Sequence, residues 1–135
     1  MFYTWLFLEV DHEKQLLNQI NIQFDVMNLA EKKRGYFTNE ESGENIPITG
    51  DDFWIGRDRR MCHYCIEKDS SVSKIHICIS CESLGVVLLD MNTRNGTYLN
   101  DRKLQGKEPV LLQDGDKVKI GQQILIYHAE YVKCE

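Results

Sequence analysis

No stretch of this 135-residue chain stays apolar long enough to cross a bilayer. The longest run, Phe2 to Val10, falls far short of the roughly 20 residues that a spanning helix needs. It lacks a basic leader and a small-residue cleavage site, and acidic Glu9 and Asp11 sit at its end, so it reads as a strand and not an export signal. Basic residues are in the minority, 16 Lys and Arg against 21 Asp and Glu, for a formal net charge of −5. That balance argues against a general nucleic-acid binder and leaves any anion to a local basic patch. Proline is scarce, with only Pro47 and Pro109, and neither an internal repeat nor sustained helical periodicity is visible. No glycine loop opens a helix to cradle a phosphate, and no kinase catalytic signature appears. The five cysteines, an odd number without an export signal, point to a reducing compartment and free thiols. What remains, 42% hydrophobic and 27% charged residues, is an ordinary globular domain that buries a core without disulfides.

Strand-like stretches recur along the whole chain. Phe2 to Leu8 is rich in aromatic and β-branched residues, and Ile20 to Val26 alternates apolar with polar, as a half-buried strand does. His12 to Gln19 has room for one or two helical turns. Glu31 to Asp52 holds Gly35, Gly43, Pro47, Gly50 and six acidic residues, and reads as turns and loop. Beyond it, strands are expected at Phe53–Ile55, Ile75–Ile79, Val86–Leu89, Thr97–Leu99, Val110–Leu112, Lys117–Ile120 and Ile124–Tyr127. Turns are expected at Ser83–Gly85, Asn95–Gly96, Asn100–Asp101, Asp114–Asp116 and Gly121–Gln122. Short strands spaced about ten residues apart predict an all-β sandwich or barrel.

Two Cys-x-x-Cys pairs, Cys62/Cys65 and Cys78/Cys81, have zinc-like spacing, and a structural zinc module is one alternative reading. Against it, Cys78 lies in an alternating strand, where residues three apart point to opposite faces, and the first pair lacks the glycine that often shapes a knuckle. Small thiols on strands are the simpler reading. A Cys62–His63 nucleophile pair fails because sequence neighbours on a strand point apart and no orienting carboxylate is evident. Asp114-Gly115-Asp116 reads as a turn and not as a cation site. The four histidines form no ligand cluster.

One ordered set is more specific: Gly56-Arg57, then Ser73-Lys74-Ile75-His76, then Asn95-Gly96-Thr97-Tyr98-Leu99-Asn100, with Asp114-Gly115-Asp116 beyond. In this order and ahead of strands it resembles the forkhead-associated (FHA) domain, a phosphothreonine-binding β-sandwich. The resemblance covers about Phe53 to Tyr131; the first fifty residues match only as extra strands of the right kind. It implies two antiparallel sheets with about eleven strands and binding loops at one end.

Carried over residue by residue, the resemblance makes Arg57 the guanidinium aimed at the phosphate, since a permanently charged fork suits a dianion. Ser73 is expected to give its hydroxyl and backbone N–H to a phosphate oxygen, with Lys74 adding charge. Asn95 is expected on the peptide main chain, because an amide both donates and accepts. Thr93 and Arg94 fall in the loop that commonly reads side chains C-terminal to the phosphothreonine, often the third. Gly56, His76, Gly96 and Asn100 are expected in structural roles: His76 tying the Ser73 loop to its neighbours, Gly96 supplying a positive φ, Asn100 capping the next hairpin. Residues 56–76 carry five Lys or Arg and three acids, a local surplus of +2 within an acidic chain. Arg59 and Arg60 are expected as exposed helpers. The Asp58–Val72 segment is longer than the minimal family spacing, which bears on peptide register.

One domain is expected: residues 1–52 giving N-terminal strands and an acidic loop insertion, 53–131 the core with the binding loops, and 132–135 a tail. The expected function is phosphothreonine-dependent binding without catalysis, cofactor or resident metal, at near-micromolar affinity. A phosphate-independent FHA-fold interaction domain is the other alternative. The partner is a phosphothreonine-containing protein, with no direct nucleic acid and no membrane. The resemblance also implies a larger parent, nuclear or both cytoplasmic and nuclear, of the checkpoint or meiotic protein kinase type acting in the DNA-damage response and capable of phosphorylation-dependent self-association, while other FHA proteins serve in splicing, transcription or trafficking.

Overall fold

A computed structural model describes residues 31–91, 93–106 and 108–133. The strands expected at Phe2–Leu8 and Ile20–Val26 and the helical turns at His12–Gln19 lie outside these residues. Thirteen strands run in order: β1 (Glu31–Lys33), β2 (Tyr36–Asn39), β3 (Asn45–Pro47), β4 (Asp52–Gly56), β5 (Tyr64–Cys65), β6 (Ile77–Glu82), β7 (Gly85–Asp90), β8 (Thr97–Leu99), β9 (Arg102–Lys103), β10 (Val110–Leu111), β11 (Lys117–Ile120), β12 (Gln123–His128) and β13 (Tyr131–Lys133). Eleven of them form two sheets, β10-β7-β6-β4-β5 and β3-β2-β12-β11-β8-β9, while β1 and β13 pair separately. No helix is present among the described residues. The strand spacing left a sandwich or a barrel open, and the fold is the all-β sandwich that the FHA resemblance implied.

Side-chain alternation explains most of the six-stranded sheet. In β11, Lys117 and Lys119 are exposed while Val118 and Ile120 are fully buried. Phe37, Leu125 and Tyr127 fill the same core from β2 and β12. Each fully buried side chain of this size contributes about 1.5–3 kcal/mol of burial. Strand β6 differs, being buried on both faces. Its Ile77, Ile79 and Cys81 join the core, whereas Cys78 sits between its cross-strand partners Trp54 and Leu89. A strand in the middle of a sheet is covered by neighbours on either side, which polarity alternation alone does not show.

The Glu31–Asp52 stretch is not continuous turn and loop. Strands β2 and β3 lie within it and pair antiparallel, Phe37 opposite Ile46. The alternation there is short, Phe37 and Ile46 buried between exposed or half-buried neighbours, and the surrounding acids and glycines mask it. Around β6 the strand starts at Ile77, two residues later than expected, because His76 and Ile75 belong to the preceding loop.

Antiparallel pairing sends the end of β4, the start of β6 and the end of β7 to one edge of their sheet. In the other sheet, Ile120 opposite Thr97 and Gln123 brings the start of β8 together with the β11–β12 turn. The connections at 57–76, 91–96 and 121–122 therefore leave from corresponding strand ends.

Candidate functional site

Arg57 follows β4 directly, and its backbone explains the glycine before it. A Cβ on Gly56 would lie 2.3 Å from the Lys74 carbonyl oxygen and 2.9 Å from both the Cys62 Sγ and the Ile75 Cα. Only glycine lets the 73–75 backbone close over β4. Arg57 N–H then donates to the carbonyls of Ser73 and Lys74, at 3.0 and 3.1 Å. Its side chain is anchored too: Nε donates to the Val72 carbonyl at 2.9 Å. That leaves the two terminal nitrogens of the fork as its donors toward solvent.

Ser73 is held from the other side. Its N–H donates to His76 Nδ1 at 3.0 Å, which makes that nitrogen an acceptor. The ring proton therefore sits on Nε2, which donates to the Gly96 carbonyl at 2.9 Å. His76 is wholly buried, and burial pushes its pKa below the ordinary imidazole value. A neutral ring thus ties the Ser73 loop to the Asn95–Gly96 turn. Because the Ser73 N–H serves this bond, the expected donation of both hydroxyl and N–H to a ligand reduces to the hydroxyl.

The third loop carries Asn95 and Gly96. Asn95 Nδ2 donates to the Ser71 carbonyl at 3.0 Å, so its Oδ1 and second amide hydrogen remain as ligand groups. Gly96 has φ +80°, a left-handed conformation that suits glycine. Thr93, expected among the peptide-reading residues, uses its hydroxyl inside the loop. That hydroxyl donates to Asp90 at 3.0 Å and accepts the Gly96 N–H at 3.0 Å. Arg94 and Lys74 are exposed. Asn100 sits away from this group: with Asp101 it makes a two-residue turn with both φ positive, and its side chain bonds Asp116 and the Lys117 N–H.

Arg57, Ser73 and Asn95 are thus joined through the 71–73 backbone and His76. Beside Arg57 lies an open depression of about 520 Å³, lined by Arg57, Asp58, Arg59, Arg60, Glu67 and Lys74. Arg59 grips Glu67 with two bonds of 3.1 and 2.8 Å, which holds the Glu67 carboxyl below its usual range. The Asp58 carboxyl is lowered as well, chiefly by accepting the Arg60 N–H.

Two supporting residues had gone unread in the sequence. Asp69 takes the Ser71 N–H on one carboxyl oxygen and the Gln122 N–H, at 2.7 Å, on the other. It links the Ser73 loop to the β11–β12 turn, where Gly121 has φ +59° and a Cβ would strike Ser71 and Asp69. Burial alone would raise its pKa, but the bonds from Ser71, Gln122 and Gln123 hold it below the ordinary value. The Asp-x-Ser spacing at 69–71 is a side-chain turn signal available in the sequence. Lys103, on β9, reaches over Gly96; nothing local in the sequence predicts that.

Cys62, Cys65, Cys78 and Cys81 do not gather into one ligand set. Cys78 and Cys81 both lie in β6, three apart, so their side chains take opposite faces. Cys62 Sγ donates to the Lys74 carbonyl and Cys65 Sγ to the Cys62 carbonyl. Among the described residues no group of three His, Cys, Asp or Glu is placed to hold a metal ion.

A model of the FHA domain matches residues 53–121. The human protein "Angiogenic factor with G patch and FHA domains 1" is 38% identical over 80 residues, 55% of this chain and 11% of that protein. Nibrin of Danio rerio is 30% identical over 83 residues, 61% of this chain and 10% of that protein. The chain thus spans about a tenth of these relatives. A solved structure described as a structural and functional analysis of phosphothreonine-dependent FHA domain interactions is 25% identical with TM-score 0.63, covering 70% of this chain and 95% of that one.

Proposed function

The chain belongs to the FHA domain family, a family of binding modules and not of catalysts, and from that membership we propose that it binds phosphothreonine peptides through Arg57, Ser73, Lys74 and Asn95. The observation that supports this most is the bonding that unites the three loops: Arg57 to Val72, Asn95 to Ser71, and His76 between Ser73 and Gly96. Side chains held this way lose little further freedom when a ligand arrives. The terminal nitrogens of Arg57 supply a two-pronged grip, the Ser73 hydroxyl a neutral donor, and Lys74 a diffuse charge. Asn95 offers its Oδ1 to a peptide N–H and its remaining amide hydrogen to a peptide carbonyl. Thr93 serves as frame, and Arg94 stays at the rim.

A phosphate of about −1.5 to −2 charge meets cations in a water-accessible depression, so affinity near micromolar is expected, about −8 kcal/mol. The similar FHA structure, described by its phosphothreonine-dependent interactions, supports the choice of ligand. By family resemblance the narrower setting is recruitment of a phosphorylated partner by a larger nuclear protein, of the checkpoint or meiotic kinase type. Calorimetric titration tests the core claim. One phosphothreonine peptide library is compared with its phosphoserine and unphosphorylated counterparts. Binding that ignores the phosphate would overturn the reading.

A further inference from the structure

Asn95-Gly96 is the only Asn-Gly step in the chain. Such a step is the least durable of asparagine links, because glycine puts no side chain in the way of its own backbone nitrogen. Once its proton is lost to base, that nitrogen can attack the asparagine carboxamide carbon. A new N–C bond closes a five-membered imide, the C–Nδ2 bond breaks, and ammonia leaves with a proton from water. Water then opens the imide to aspartate or isoaspartate. In this loop each participating group is engaged elsewhere. The Gly96 N–H donates to the Thr93 Oγ1 at 3.0 Å, and that hydroxyl donates in turn to Asp90 Oδ1 at 3.0 Å. Removing the Gly96 proton would leave an anion facing an oxygen lone pair, with a carboxylate behind it. Asn95 Nδ2 donates to the Ser71 carbonyl at 3.0 Å, and the Gly96 carbonyl accepts from His76 Nε2 at 2.9 Å. Asn95 itself is exposed to water and base, whereas Gly96 is buried.

We propose that Asn95 is a deamidation site that Thr93 holds in check, and that conversion puts a negative charge into the anion-binding loops and ends ligand binding there. The second half rests on the phosphopeptide reading above; the first half does not. Thr93 acts as a positioning residue, since keeping the Gly96 N–H occupied sets how long the asparagine lasts. One hydrogen bond of this kind slows conversion about two- to tenfold. The product carboxylate has no hydrogen for a peptide carbonyl, and it repels a phosphate of about −1.5 to −2 charge. Asn100 supplies an internal reference: it precedes Asp101, not glycine, and its side chain is bonded to Asp116 and the Lys117 N–H.

Folded wild type, Thr93→Val, Thr93→Ser and wild type in urea are incubated at mildly alkaline pH, and mass spectrometry follows the tryptic peptide 95–102, which holds both asparagines. Position 95 converts fastest in urea and slowest in folded wild type and Thr93→Ser. Folded Thr93→Val converts about two- to tenfold faster than wild type, with position 100 unmoved. Equal rates in folded Thr93→Val and wild type would overturn the restraint, as would a folded wild type that converts as fast as the unfolded chain. A second readout needs no variant: base-catalysed hydrogen exchange removes the same Gly96 proton, and exchange there at an unprotected rate would also overturn the restraint. For the consequence, Asn95→Asp is compared with Asn95→Ala against one phosphothreonine peptide. Asp binds roughly three- to tenfold more weakly than Ala, because repulsion adds to the lost amide. Equal affinities, in a domain whose binding depends on phosphate, would overturn the inactivation by charge. Wild-type binding that ignores phosphate would overturn the phosphopeptide reading and the inactivation with it, while the conversion rates still decide the role of Thr93.

Discussion

His76 accepts the Ser73 N–H on Nδ1, and that single 3.0 Å bond fixes the proton on the opposite nitrogen, where it reaches Gly96. One buried ring therefore holds two binding loops, and it does so only when neutral: protonation would turn Nδ1 into a donor facing a donor.

Stability should accordingly depend on pH through His76. Burial lowers its pKa in the folded state, so the unfolded chain binds the proton more readily. The contribution is complete above about pH 6.5 and is lost as pH falls through the window beneath it. The carboxyls of Asp58, Glu67 and Asp69 are lowered, so their contributions fade only at more acidic pH. The melting temperature should fall between about pH 7.5 and pH 5.5, and His76→Gln should melt lower with a shallower slope. A wild-type melting temperature flat across that range would contradict the assignment.

Two glycines of the site should respond differently to alanine. At Gly56 the new methyl meets backbone, the Lys74 carbonyl oxygen at 2.3 Å, which has nowhere to go. Gly56→Ala should cost about 3 kcal/mol or more and lower affinity as the 73–75 loop backbone shifts. At Gly96 the nearest atom is the Lys103 Cε, the end of a flexible chain, so the cost comes mainly from φ +80°. Gly96→Ala should lose only about 1–2 kcal/mol. Urea unfolding of both variants decides; equal losses would refute the distinction.

Asp69 should behave as a positioning residue. Its carboxylate bonds the Ser71 and Gln122 N–H groups from two different sheets' connections. Asp69→Ala leaves both donors without it and should cost about 1–3 kcal/mol. Phosphopeptide affinity should fall although no atom of Asp69 is proposed to touch ligand. Unaltered affinity in a folded variant would remove that role.

Legibility in the sequence followed locality. Lys117 to Ile120 and Thr97 to Leu99 were readable because alternation is a property of neighbours along the chain. The fold and the ordered Arg57, Ser73 and Asn95 set were readable because each turn carries its own residue chemistry. The strands at Tyr36–Asn39 and Asn45–Pro47 were hidden by glycines and acids within a few positions. Lys103 over Gly96 and the loss of the Ser73 N–H to His76 depend on pairings across 7 and 3 residues that only the folded hairpin and loop create.

Cys62, Cys65 and Cys78 should prove inert in the native protein. Burial pushes the Cys62 and Cys78 thiols up to about 11, and raises Cys65 as well, so little thiolate exists at neutral pH. Mass spectrometry after brief alkylation should find Cys62 and Cys78 unmodified until urea is added. Chelator should leave the melting temperature unchanged, because Cys78 and Cys81 diverge from β6. Metal-dependent melting would revive the zinc alternative.

Arg57 gives the most direct test of how the phosphate is held. Its Nε is committed to the Val72 carbonyl, so the side chain already points one way before a ligand arrives. Arg57→Ala should weaken phosphothreonine-peptide binding by about 2–4 kcal/mol, roughly 30- to 1,000-fold. The same change removes one half-buried bond and should cost folding only about 1 kcal/mol. Arg57→Lys keeps the charge but has neither an Nε to give Val72 nor a second prong for the phosphate. Its affinity should fall between wild type and alanine, nearer alanine if geometry dominates and nearer wild type if charge alone does. Titration of all three proteins with one phosphopeptide separates these cases. Wild-type affinity in the alanine variant would show that the anion is held elsewhere, since Arg57 is the guanidinium that its Nε bond to the Val72 carbonyl anchors beside the Ser73 loop.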